Sequence, residues 1–236
     1  MVTPEAFAGA LWVELRAFFG QQELRFRTSE AMAVSVGGTR AYQGLSGLPD
    51  IVARAVERAR RMEFEFSCLP EQGKLLSVLA AGRSGGVIGE TGTGYGVGLA
   101  WIVSAVSPAT RVVSVERERE RAEAAQALFR DYPNVTVVHG DWQELERYGP
   151  FDLLVIDGGG SGKKGEAPFD PVKWLTPTGA FVIDDFTPVE AWPPQHDGGV
   201  DSIRLYWLKH PELLTTEIRT SPLHSAVVGN RRPRRS

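Results

Sequence analysis

Residues 87–98 read VIGETGTGYGVG, with glycines at 89, 92, 94, 96 and 98 between an apolar entry and the apolar run LAWIVSAV at 99–106. Glycine is costly in regular structure unless the chain must adopt a positive φ or something must approach its backbone closely. A turn uses one or two such residues. This many, between a predicted strand and a predicted helix, points to a ligand lying against bare backbone.

Outward from this stretch, short β-rich runs alternate with helical patterns. The runs fall at 85–90, 111–116, 135–140, 151–157 and 179–185, separated by GVGLAWIVSAV, ERAEAAQALFRDY, DWQELERY and PFDPVKWL. That alternation predicts a doubly wound, Rossmann-like α/β fold, a parallel sheet with helices on both faces. Near the C-terminus, DSIRLYWLKHPEL reads as a helix, and LTTEIRTS and HSAVVGN as two strands. The link between those strands is too short for a crossover, so they are expected to be antiparallel. Upstream, the apolar spacing of 48–66 and 69–83 predicts helices, and 1–20 reads as an amphipathic helix with Thr3 as N-cap and Pro4 behind it. Residues 27–48 are expected to form a loop or short strands. The expected organisation is a helical extension over 1–69 (a lid or dimer contact), an α/β domain over 70–230 and a basic tail over 231–236.

Composition narrows the function. The chain has 236 residues, 42% hydrophobic and 23% charged, as a globular protein should. A net charge of −3 gives no general attraction to nucleic acid or to an anionic membrane. No apolar run approaches the roughly 20 residues needed to span a bilayer. The N-terminus lacks the basic region of a signal peptide, and Cys68 is the single cysteine, which excludes an intramolecular disulfide and a multi-cysteine zinc site. A cytoplasmic protein is expected, with a homodimer as the candidate assembly.

In an open parallel sheet, ligands sit beyond the C-terminal ends of the strands. Those ends here carry Glu90, Glu116, Asp141, Asp157 and the pair Asp184–Asp185. A phosphate loop would require a Lys after its glycines, and none is present. A dinucleotide turn would require a third glycine where Val97 stands, and pyrophosphate is repelled by a carboxylate as close as Glu90. S-adenosylmethionine carries a sulfonium, an ammonium and no phosphate, and it tolerates acidic neighbours. The end of the second strand, Glu116, suits its ribose hydroxyls.

Residues 70–185, through EQGKLLSVLAAG, GETGTGYG and HGDW, resemble class I S-adenosylmethionine-dependent methyltransferases, most closely the catechol and caffeoyl-CoA type of small-molecule O-methyltransferase. The resemblance implies cofactor contacts from Glu90, Gly92, Thr93, Gly94, Tyr95, Glu116, Asp141, Trp142 and Asp157. It also implies a divalent cation such as Mg²⁺ held by Asp157, Asp184 and Asp185, with a metal-independent enzyme as the alternative. The chain departs from the family at three places. Gly98 stands where many members have Ser, Asp185 where Asn is common, and Gly160 where the catalytic Lys is expected. Lys163, Lys164 and, in the loop after the fifth strand, His196 are the candidate replacements. Trp192, Tyr206 and Trp207 are candidates for an acceptor pocket. A methyltransferase acting on RNA or protein, and a cofactor-binding protein without turnover, are the rival readings.

Overall fold

The computed structural model describes residues 38–233; the helix expected over 1–20 and the end of the basic tail lie outside the described residues. The strands are β1 (Val87–Thr91), β2 (Arg111–Glu116), β3 (Val135–His139), β4 (Phe151–Ile156), β5 (Leu175–Phe186), the two-residue pair β6 (Gln195–His196) and β7 (Gly199–Val200), β8 (Leu213–Arg219) and β9 (Ser225–Arg231). The α-helices are α1 (Asp50–Arg61), α2 (Pro70–Ala81), α3 (Val97–Ala105), α4 (Arg119–Leu128), α5 (Pro171–Trp174) and α6 (Ser202–Lys209), and 3₁₀ turns cover Gly38–Tyr42 and Trp142–Tyr148. Seven strands form one sheet in the order β3-β2-β1-β4-β5-β9-β8. The first five are parallel, and β9 runs antiparallel to both β5 and β8.

Both faces of the sheet are covered, and the strand sequences show why. Val112, Leu153, Val155, Ala180, Val182 and Ala226 pack with α1–α4 on one face. Their immediate neighbours Val113, Leu154, Ile156, Phe181, Ile183 and Val227 pack on the other. This is the period of two that a strand imposes. The second face is capped by aromatic rings: Phe169 stacks 4.8 Å from Trp207 and 5.9 Å from Trp174.

Two expectations need correction. The boundary at 69/70 does not separate an extension from the domain, because α1 buries Ile51, Val52, Ala55 and Val56 in the same core as α3. Residues 38–42, expected as loop or strand, form a 3₁₀ turn whose Tyr42 is buried. In addition, the helix expected around 168–175 is a single turn, and β5 begins earlier than expected.

Gly73 of α2 explains how α2 and α3 approach. A Cβ there would lie 2.2 Å from the Trp101 ring. The indole crosses α2 in that gap and donates to the Tyr42 hydroxyl (2.9 Å), which in turn donates to the Cys68 carbonyl (2.9 Å). On helix propensity alone, Gly73→Ala should stabilise by about 1 kcal/mol. The packing reverses the sign: a loss of about 1–3 kcal/mol in equilibrium denaturation is expected.

Candidate active site

The site begins where β1 ends. Gly92, Gly94 and Gly96 all have positive φ (86°, 53° and 89°), and Gly96 caps α3 in the left-handed conformation. Gly92 has a second reason to be bare, since a Cβ on it would lie 2.5 Å from the Gly158 nitrogen. The β1 and β4 ends are thus in backbone contact at the point where the strand order reverses. Gly94 N–H donates to Glu116 Oε2 (2.7 Å), and Glu118 N–H to Glu116 Oε1 (2.9 Å). These bonds fix the acid at the end of β2 facing the glycine turn. A cavity of about 420 Å³ opens there, lined by Gly92, Thr93, Gly94, Glu116, Asp141 and Trp142 among others. Tyr95 also borders it, with its hydroxyl on Glu120 (3.2 Å) and its ring 5.2 Å from that of Phe64. Asp141 caps the 3₁₀ turn by accepting from Gln143 N–H (3.1 Å). Trp142 lies over Gly159 and Gly160, where a Cβ would meet its ring at 2.6 and 3.0 Å.

Glu90 is placed differently from the others. It is buried beneath the turn, does not line the cavity, and accepts from the Ser114 hydroxyl, which pairs in turn with Thr93. Burial pushes its carboxyl up to about 8; the Ser114 bond opposes this, and Asp184 and Glu116 add repulsion. A Cβ on Gly98 would lie 2.9 Å from Glu90 Oε1, so Glu90 fills the space a serine would need.

Asp157, Asp184 and Asp185 come together, with one oxygen of each lying within 4.8 Å of the others. Consecutive strand residues should point to opposite faces. Here the β5–β9 register breaks between Ile183 and Phe186, and Asp185 takes a left-handed φ of 58°, which turns its carboxylate back. Burial raises Asp157 to about 8, reinforced by Asp185 and Glu90, and raises Asp184, reinforced by Asp157 and Asp185. The donor set is all hard oxygen, which fits a divalent cation such as Mg²⁺ or Ca²⁺. The cluster sits where the first cavity meets a second of about 250 Å³; Phe66, Ser67, Cys68, Asp157 and Asp185 line both.

The glycine-rich loop after β4 folds around one carboxylate. Glu166 accepts from Gly160 (3.1 Å), Gly162 (3.0 Å) and Lys164 (2.9 Å) N–H, and these backbone bonds hold its carboxyl below the usual range despite burial. The loop therefore turns back on the site. Lys164 Nζ donates to the Gly158 carbonyl (3.1 Å) and borders the first cavity, whereas Lys163 Nζ donates to the Asp184 carbonyl and sits 4.0 Å above the Phe186 ring. Burial pulls the Lys163 ammonium down against the upward pull of Asp184, Asp185 and Asp157.

His196 is not brought in: it is exposed on β6, beside Asp197, and lines neither cavity. Trp207 is core, donating to the Ser161 carbonyl (2.8 Å), and Trp192 is 60% exposed under Lys209. Tyr206 packs edge-on against Trp207 and lines neither cavity. The sequence reading missed the wall formed by Phe64–Cys68. Its only sequence signal is the aromatic–acid alternation of FEFS after a helix.

Glu90 gives the site a pH signature. Its folded value of about 8 lies above its ordinary 4.5, so between those values the native state holds a proton that the unfolded chain releases. Its contribution is complete below about pH 4.5 and is lost as pH rises toward 8. Against a Glu90→Gln reference, native stability measured by denaturation is expected to fall across this window by a few kcal/mol. The slope is on the order of 1.4 kcal/mol for each step of one in pH.

The comparisons with known proteins agree with this geometry. The family described as "Methyltransferase domain" matches residues 90–186. A candidate O-methyltransferase of Mycobacteroides abscessus is 33% identical over 155 residues, 60% of this chain and 68% of that protein. Among solved structures, the O-methyltransferase TomG from Streptomyces achromogenes, in complex with SAM, superimposes with a TM-score of 0.61 at 21% identity, covering 80% of this chain and 93% of its own. The O-methyltransferase from Bacillus cereus, in complex with SAH, gives 0.62 at 19%, covering 81% and 95%. These two show the fold, and the M. abscessus protein shows the family: the chain belongs to the class I S-adenosylmethionine-dependent O-methyltransferases.

Proposed function

We propose that the protein methylates a hydroxyl of a small, compact acceptor in the second cavity, using S-adenosylmethionine in the first. The observation that carries this reading is the carboxylate cluster at the junction of the two cavities. Glu116 holds the ribose hydroxyls with the lone pairs its two backbone bonds leave free, Gly92, Thr93 and Gly94 face the methionyl part, and Asp141 and Trp142 frame the base. The cofactor supplies a sulfonium methyl open to in-line displacement. The chain's part is to orient the acceptor and receive its proton, and orientation alone is worth roughly 7–11 kcal/mol. Lys164 is the residue we assign to the proton, in place of the lysine absent at Gly160: its Nζ borders the first cavity through the turned-back loop. As the neutral amine it would take the hydroxyl proton and become the ammonium while the oxygen forms its bond to the methyl group and the sulfonium leaves as the neutral thioether.

Asp157, Asp184 and Asp185 are the residues that would hold a divalent cation, which supplies Lewis acidity toward a coordinated hydroxyl. A metal-free alternative rests on Lys163, whose ammonium already lies against Asp184. The small-molecule reading is preferred to RNA because no cation lines the second cavity among the described residues. No helix among them is long and apolar enough to cross a membrane, and with a single cysteine we place the protein in the cytoplasm.

Calorimetric titration with S-adenosylhomocysteine tests the cofactor assignment. Micromolar affinity is expected, with a loss of at least about tenfold in Glu116→Ala, since two charge-assisted bonds are removed. Titration with Mg²⁺ and Mn²⁺ tests the cluster: binding that disappears in Asp184→Asn supports the cation, and absence of binding in the native protein favours the Lys163 alternative.

A further inference from the structure

We propose that the turn between β8 and β9 presents a hydrogen-bond donor, the Nε2–H of His224, to the second cavity, where with Gln72 it recognises a neutral carbonyl oxygen of the acceptor remote from the reacting hydroxyl. This rests on the reading of that cavity as the acceptor site.

The argument begins with the turn. The His224 carbonyl accepts from Thr220 N–H (3.0 Å) and Ser221 N–H (3.1 Å), which closes the hairpin and fixes the residue at the cavity wall. The Ser221 hydroxyl oxygen accepts from Leu223 N–H (3.3 Å) and His224 N–H (3.1 Å). Its two lone pairs are then engaged, and its own proton is left for His224 Nδ1 at 2.9 Å. A ring that accepts at Nδ1 carries its proton on Nε2. That nitrogen has no hydrogen-bond partner among the described residues.

Gln72, in the first turn of α2, borders the same cavity. It is 4% exposed, and its side chain carries an amide donor. An amide N–H at this wall can donate to a ligand oxygen in the cavity. Ser67 does not compete, because its hydroxyl pairs with Thr39 (2.7 Å).

Charge then selects among acceptor oxygens. Three aspartates and Glu65 line the cavity, and no Lys or Arg does among the described residues. A carboxylate on the acceptor would find no Lys or Arg counter-ion beside His224 and Gln72 among the described residues, whereas an aldehyde, ester or amide carbonyl meets these donors without adding charge. At about 250 Å³ the cavity lies below the roughly 300–1,000 Å³ of drug-sized sites, which suits a single substituted ring.

The full-length protein, loaded with S-adenosylhomocysteine and Mg²⁺, would be titrated with three compounds sharing a vicinal diol: 3,4-dihydroxybenzaldehyde, 4-methylcatechol and 3,4-dihydroxybenzoate. The aldehyde is expected to bind about fivefold or more tighter than the methyl compound, as one added hydrogen bond predicts, and tighter than the benzoate. In His224→Leu the ratio of aldehyde to methyl-compound affinity should collapse, and in His224→Gln, which keeps a donor, part of it should return. The ¹⁵N resonances of the His224 ring should report the Nε2–H tautomer. Equal binding of aldehyde and methyl compound, tightest binding of the benzoate, a preference that survives His224→Leu, or the Nδ1–H tautomer would each overturn the proposal. Binding of S-adenosylhomocysteine with none of the three compounds overturns it while leaving the cofactor assignment intact; failure to bind S-adenosylhomocysteine strikes the proposed function itself.

Discussion

Two glycines in contact, Gly92 and Gly158, set the geometry on which everything at the C-terminal edge of the sheet depends. Each leaves no room for a Cβ on the other: one on Gly158 would lie 2.6 Å from the Gly92 Cα. Thr91 O locks the approach by accepting from Asp157 N–H (3.1 Å) and Gly158 N–H (2.7 Å). The chain segments that follow β1 and β4 leave this point in opposite directions, so a crevice must open above it. The glycine turn forms one wall, and the Asp157 loop forms the other. A fold-level rule about switch points therefore has a local atomic cause in this chain.

The crevice is electrostatically demanding. Glu90, Glu116, Asp157, Asp184 and Asp185 all lie at or under it, and two of them have their carboxyls pushed to about 8. Compensation comes from backbone N–H groups on Glu116, a hydroxyl on Glu90 and the ammonium groups of Lys163 and Lys164. Below, Arg204 is buried between Asp201 (3.0 Å) and Glu217 (3.3 Å) and donates to Thr187 O (2.7 Å), pinning the chain that follows the bulge. The aspartates are thus held at close range by a rigid scaffold, and a cationic ligand would relieve their mutual repulsion without moving the backbone.

The sheet was legible because its signal is local: each apolar run of four to six residues is a strand, and the alternation of neighbours such as Leu153 and Leu154 between faces follows from strand geometry alone. The glycine turn and the acids at strand ends were legible for the same reason. Three features were not. The membership of α1 in the core rests on its packing with α3, and the close approach of α2 to α3 on Gly73 lying against Trp101; no window of sequence contains either pair. The bulge at Asp184–Asp185 depends on the register with β9, some forty residues later, roughly the span of a crossover and a hairpin together. The return of Lys164 to the cavity depends on Glu166 gathering the amides of a loop that has no periodicity. His196 fails for the converse reason: the loop after β5 was read as facing the crevice, but its two-residue ladder carries the ring to solvent.

The contact between Gly98 and Glu90 Oε1 ties these two positions together. A serine at 98 would require the Glu90 carboxylate end, held by Ser114, to shift, and a shorter side chain at 90 on its own would leave a buried void beside Ser114. The two positions are therefore energetically coupled, and the effects of changes at them are not expected to add. A glycine turn exchanged between such enzymes would therefore carry its packing with it only as a block that includes both positions.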